Sequence, residues 1–169
     1  LKIGVAKRKA MPVFCASGKK DIGTKRLMEF IINVAPGPTV APAFPATDGS
    51  EVVADENGAV ALFVFKSQME GHIGEINYFR VVRGKLTEGM ELVNSRTGNK
   101  EKLSQLFAVA GKNRIKVSEL SAGDIGCTVK LKGTRTNDTL SAVAAPVTLE
   151  PIVFPEPRYR AAVKAKVQA

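Results

Sequence analysis

The stretch AVALFVFKSQMEGHIGEINYFRVVRG, residues 59–84, decides the fold. It opens on an unbroken apolar run, 59–65, and continues with alternation of period two, the spacing of a half-buried strand. The same period persists downstream and predicts strands over 59–69, 73–83, 90–94, 100–108 and 125–131. Gly71, Gly84, Gly89, Thr97-Gly98-Asn99 and Ala122-Gly123-Asp124 carry turn chemistry between them. Short strands at close spacing, with no amphipathic helix between them, predict an antiparallel barrel or sandwich.

On the amino-terminal side of this block lies the clearest change in composition. Pro36, Pro38, Pro42 and Pro45 stiffen the chain and remove backbone donors, and Asp48, Glu51, Asp55 and Glu56 follow with no Lys or Arg nearby. We read residues 37–58 as a linker, or as a linker ending in a loose hairpin around Glu56-Asn57-Gly58. Further upstream, residues 1–10 read as a helix end with a basic last turn, and 12–16 as a short buried strand. Leu27, Met28, Ile31, Ile32 and Ala35 recur at the spacing of one helix face, and that helix must stop before Pro36. At the other end, Phe154-Pro155-Glu156-Pro157 enforces an extended link before a strand-like run over 159–167. With Leu1 in place of an initiating Met, both ends read as cut from a longer chain.

The chain has 169 residues, 44% hydrophobic and 24% charged, which fits a globular domain with a real core. Its 25 Lys and Arg against 16 Asp and Glu leave +9, a balance that favours an anionic partner such as nucleic acid. No apolar run approaches the ~20 residues of a membrane span, and Cys15 and Cys127 form no paired motif for disulfides or zinc. A reduced, cytoplasmic setting without membrane contact is expected. One histidine, His72, sits in an expected turn, so neither a multi-histidine metal site nor a conventional triad is indicated.

Nucleotide chemistry is missing from the sequence. A phosphate loop needs G-x-x-x-x-G-K-[ST]; Gly18-Lys19 fails at Val13 and Lys20, and Gly111-Lys112 fails at Leu106 and Asn113. Asn99-Lys100-Glu101-Lys102 lacks the Asp of a guanine-reading N-K-x-D. The expectation is a chain with no catalytic residues, no metal site and no nucleotide bound on its own. Asp124 is expected to bond nearby backbone N–H groups, and Cys127 to sit in the core. Basic residues are more suggestive. Lys112, Arg114 and Lys116 would share one face of an extended segment, Arg80 and Arg83 end one strand, and Lys130, Lys132 and Arg135 follow another. These are either a cationic rim for RNA phosphate or the outward polar positions of a barrel.

A family resemblance becomes specific at residues 71–90. The pattern around Phe79-Arg80-Val81, Gly84 and Gly89 resembles the second domain of translational GTPases, elongation factor G in particular. Ala122-Gly123-Asp124-Ile125 resembles that family's A-G-D-I turn, Asn137-Asp138-Thr139-Leu140 its G-D-T-L with Asn for Gly, and Phe154-Pro155-Glu156-Pro157 the opening of its third domain. Ser17 and Gly18 resemble the guanine-contacting loop, with Gly18 for the usual Ala.

The resemblance implies a closed Greek-key barrel, mainly β, carrying a short α/β remnant of a G domain. Residues 1–36 would end the G domain, 37–58 link it, 59–147 form the barrel and 148–169 begin the third domain. It implies a parent using GTP and Mg to move tRNA and mRNA, with this part docking on small-subunit rRNA and bracing its neighbouring G and third domains. Ser17 and Gly18 would be a nucleotide-site remnant; Arg80, Arg83, Lys112, Arg114 and Lys116 are the RNA-contact candidates, with bracing of the barrel or of the domain interface as the other reading of Arg80. Ribosomal-protection and release-factor relatives, or a free-standing RNA-binding barrel, are the alternatives; an enzyme acting alone is disfavoured.

Overall fold

The computed structural model describes residues 1–111 and 113–164. Among these residues, helices α1 (Lys2–Ala6) and α2 (Thr24–Val34) and a 3-10 turn (Pro38–Val40) precede twelve strands. The strands are β1 (Phe44–Pro45), β2 (Glu51–Val52), β3 (Ala61–Glu70), β4 (Gly74–Arg83), β5 (Lys85–Thr87) and β6 (Glu91–Asn94), followed by β7 (Lys100–Lys102), β8 (Leu106–Ala110), β9 (Asn113–Val117), β10 (Glu119–Ser121), β11 (Ile125–Val129) and β12 (Thr139–Ser141). The fold is mainly β. Eight strands form one antiparallel sheet in the order β7-β6-β12-β3-β4-β11-β8-β9.

The two ends of that sheet are connected through a separate pair and not by a ladder between β7 and β9. β9 runs through Ser118 into β10, which pairs with β5. β5 in turn runs into β6 through residues 88–90, where the Glu88 N–H donates to the Ser118 carbonyl (2.9 Å) and Gly89 and Met90 bond Leu103 (2.7 and 2.9 Å).

The sequence explains why the pairing of β3 with β4 slips. Leu62 and Val64 point into the core, so strict alternation would carry Lys66 inward too. A register shift between Val64 and Lys66 inserts Phe65 as an extra residue and turns Lys66 out to solvent. Its ammonium then lies 5.8 Å from the centre of the Tyr78 ring. Beyond the shift, Ser67 Oγ donates to Asn77 Oδ1 at 2.6 Å inside the sheet.

The principal core joins Leu62, Val64, Phe79, Val81, Leu86, Leu92, Leu106, Leu120 and Leu140, all buried, from seven strands. Full burial of each such side chain stabilises by roughly 1.5–3 kcal/mol, so this cluster dominates the fold's stability. Ile76, Cys127 and Val129 form a second cluster on the opposite face, as their alternation with Phe79 and Thr128 requires. Cys127 is buried as expected; Asp124 accepts from the Ser121 N–H at 2.8 Å, and His72 is exposed in a turn.

Several expectations need correction. Residues 12–16 form no strand and are exposed: an apolar run becomes a strand only with a ladder partner, and among the described residues none pairs with it. α1 ends at Ala6, so Lys7, Arg8 and Lys9 lie beyond its last turn, with Arg8 at φ +56°. The stretch 100–108 is two strands, broken around Leu103. Within 37–58 the hairpin is β1–β2, closed by Thr47-Asp48-Gly49, while Glu56-Asn57 makes only a turn. That hairpin is packed: Ala46 and Val52 are buried with Val82 and Leu149 against the outside of the main sheet. Residues 159–164 carry no strand, and 165–167 of that expected run lie outside the described residues.

Candidate nucleic-acid interface

Two buried carboxylates organise the loop that follows β11. Glu101 of β7 turns inward, 4% exposed, and accepts from the Lys132 N–H (3.0 Å) and the Thr134 hydroxyl (3.3 Å). Asp138, 3% exposed, accepts from Asn94 Nδ2 (2.8 Å), from Arg96 through Nε and Nη2 (2.6 and 2.8 Å), and from the Arg135 N–H (3.0 Å). Arg96 also donates to the Gly133 carbonyl at 2.7 Å. Burial pushes the Asp138 carboxyl up, but the donors from Arg96, Asn94 and Arg135 outweigh it and hold the group below its ordinary range. Hydrogen bonding to Asp138 raises the Arg96 guanidinium correspondingly.

This inward turn of the acids has an electrostatic consequence. Glu101 and Asp138 spend their charge on the loop's own backbone and on Arg96, while Lys130, Lys132 and Arg135 of the same loop face solvent. Lys102, on β7 beside Glu101, is exposed as well. Among the described residues none of these four has a carboxylate within ion-pair distance. Lys130, Lys132 and Arg135 thus stand exposed on a loop pinned from beneath, and Lys102 on the strand that pins it; contacts from such cations to phosphate fix position without reading bases. Sequence reading marks Lys130, Lys132 and Arg135 as basic without singling them out, because counting charge cannot tell which carboxylates are already engaged inside.

The residues singled out from sequence are distributed differently. Arg114 and Lys116 share one face of β9, as their spacing requires, but each is paired. Arg114 makes a two-pronged contact with Glu70 (3.0 and 2.8 Å), and Lys116 lies 2.9 Å from Glu88. The contact with Arg114 holds Glu70 below the usual carboxylate range, and the hydrogen bond from Glu70 raises Arg114. Lys112 lies outside the described residues. Arg80 is half-buried, its guanidinium carbon 5.2 Å from the centre of the Phe44 ring and its Nε buried without a partner. Arg83 donates from Nε to the Ala59 carbonyl at 2.8 Å. β11 and β8 separate β4 from β9, about 14 Å across three strand spacings, so the two groups are not one patch.

Ser17 and Gly18 lie in a tight loop before α2. The Ser17 N–H donates to the Ile22 carbonyl at 2.9 Å and Ile22 returns the bond at 3.1 Å. Thr24 Oγ1 contacts Asp21 Oδ1 within the same loop. None of the described residues 1–35 is buried, and Phe14 packs on Phe30 at 4.8 Å between ring centres. No group of three or more metal-ligating side chains occurs among the described residues, and no helix there is long and apolar enough to cross a membrane.

Comparison with known proteins finds similarity to one family. A family model described as elongation factor G domain 2 covers residues 59–143. Elongation factor G 1 of Bdellovibrio bacteriovorus is 35% identical over 175 aligned positions, covering 100% of this chain and 25% of that protein. A crystal structure from Thermus thermophilus superposes with a TM-score of 0.64 at 28% identity, covering 85% of this chain and 20% of that one. The chain thus spans about a quarter of the length of the curated relative it matches.

Proposed function

Because the chain belongs to the elongation factor G domain 2 family, we propose that it is the ribosome-docking part of a GTP-dependent translation factor. In this reading residues 59–147 form the second domain, 1–36 end the G domain through a linker, and 148–169 open the third. The parent protein would use GTP and Mg to drive movement of tRNA and mRNA in the cytoplasm. This part would supply no catalytic group: it would grip small-subunit rRNA and brace the G domain and third domain on either side. Ser17 and Gly18 would contribute to a guanine site only together with the phosphate-binding segments of the parent.

The observation that carries the reading is similarity along the whole chain to an elongation factor G, not to the sheet alone. Charge adds the contact surface. Lys102, Lys130, Lys132 and Arg135 would meet phosphate directly, whereas Arg114 and Lys116 would first have to exchange Glu70 and Glu88 for it. Arg80 and Arg83 fit bracing of the sheet better than RNA contact, since Arg80 lies against Phe44 of the packed hairpin and Arg83 bonds the Ala59 carbonyl before β3.

Neutralising variants test this assignment. Replacing Lys130, Lys132 and Arg135 with Gln should flatten the salt dependence of small-subunit binding by up to ~0.9 log units per lost contact, taking the duplex slope as the ceiling. Replacing Arg114 and Lys116 should flatten it less. The reverse order would move the contact to β9, and no change in either would remove rRNA docking from the reading.

A further inference from the structure

The chain leaves the sheet through residues 147–152, which are stitched down along their length. Val147 N–H donates to Ser141 Oγ (3.2 Å), Leu149 N–H to Thr139 Oγ1 (3.0 Å) and Glu150 N–H to the Pro45 carbonyl (3.0 Å). The Thr47 N–H donates to the Thr148 carbonyl at 2.9 Å, and Leu149 is buried beneath. The last anchor is a side chain. Asn137 donates from Nδ2 to the Ile152 carbonyl at 3.1 Å, and its Oδ1 accepts from the Ile152 N–H at 3.0 Å. From Val153 onward every described residue is exposed.

We propose that Asn137 is a positioning residue that fixes the direction in which the chain departs after Ile152. Its carboxamide exchanges a donor and an acceptor with a single residue, as a hydrogen-bonded pair does in an antiparallel ladder. The clamp stands on a rigid base: the Asn137 N–H donates to the Val64 carbonyl (2.8 Å), the next residue's carbonyl accepts from the Val64 N–H (2.9 Å), and Asp138 is held by Arg96. Asn137 has φ +76°, a left-handed conformation that glycine adopts freely and asparagine tolerates better than most residues. Glycine would therefore keep the loop and lose the clamp, which makes the two roles of this position separable.

Hydrogen exchange of the full chain tests the inference. Asn137→Gly should lower protection of the Ile152 amide about tenfold, as expected for loss of hydrogen bonds of ordinary net strength, while amides of β3 and β4 keep theirs. In a Cys15→Ser background with nitroxides at Lys102→Cys and Tyr159→Cys, the distance distribution should broaden in Asn137→Gly. An unchanged Ile152 amide, loss extending through β3 and β4, or an unchanged distance distribution would each overturn the assignment.

Discussion

Asp138 accepts four hydrogen bonds while almost wholly removed from water, and three of them come from β6 and the turn after it. Its carboxyl is held below the ordinary value near 3.8, so the native state favours the ionised form. A depressed folded-state value contributes stability that is present above the unfolded value and is lost as pH falls below about 4. Asp138→Asn is expected to cost about 1–3 kcal/mol at neutral pH through lost acceptor capacity. It should also make the acid limb of the stability curve shallower between about pH 4 and 2; urea melts across that range check both. The Asn137-Asp138-Thr139-Leu140 motif is legible in the sequence as a family mark. Its physical content is not: that Asn137 must be left-handed and that Asp138 points inward are three-dimensional facts, and a residue string gives every carboxylate the same standing.

At the scale of elements, the close approaches sit at glycines. Gly84, at φ +81°, ends β4 so near the preceding loop that a Cβ would lie 2.6 Å from the Gly58 carbonyl and 2.8 Å from Val60 Cα. Both are backbone, which cannot swing aside. Gly84→Ala should therefore destabilise by roughly 2–4 kcal/mol, from an unfavourable φ together with steric overlap, and thermal melts should show it. Gly89, at φ +84° but with open space around it, is the control and should lose less under the same change. Alternation makes β3, β4, β6 and β11 readable, because each is long enough or apolar enough to show its period. β5, β10 and β12 have three residues each, too few to display one. The β1–β2 hairpin is hidden for another reason: prolines and acids read as linker, and only the sheet's outer face beneath it reveals why Ala46 and Val52 are there.

For the whole molecule, the net charge of +9 is less telling than its arrangement. Arg96, Lys100, Arg114 and Lys116 are each matched with a carboxylate, while Lys102 and the loop carrying Lys130, Lys132 and Arg135 are left facing water. A polyanion approaching the sheet would meet that loop at full charge and β9 partly neutralised. Charge in the residue string is reason enough to expect RNA, but it points to β9, because Glu70 and Glu88 lie far away along the chain and meet Arg114 and Lys116 only once the strands pair. In the function proposed above, the chain would grip RNA through phosphate and leave the chemistry to the rest of its parent. Equilibrium binding of the full chain to purified small ribosomal subunits, followed across a series of salt concentrations, tests it most directly. Saturable binding is predicted, with log K falling linearly against log salt at a slope of about −2 to −4, the range for three or four phosphate contacts. Absence of saturable binding, or an affinity indifferent to salt, would rule out docking through phosphate.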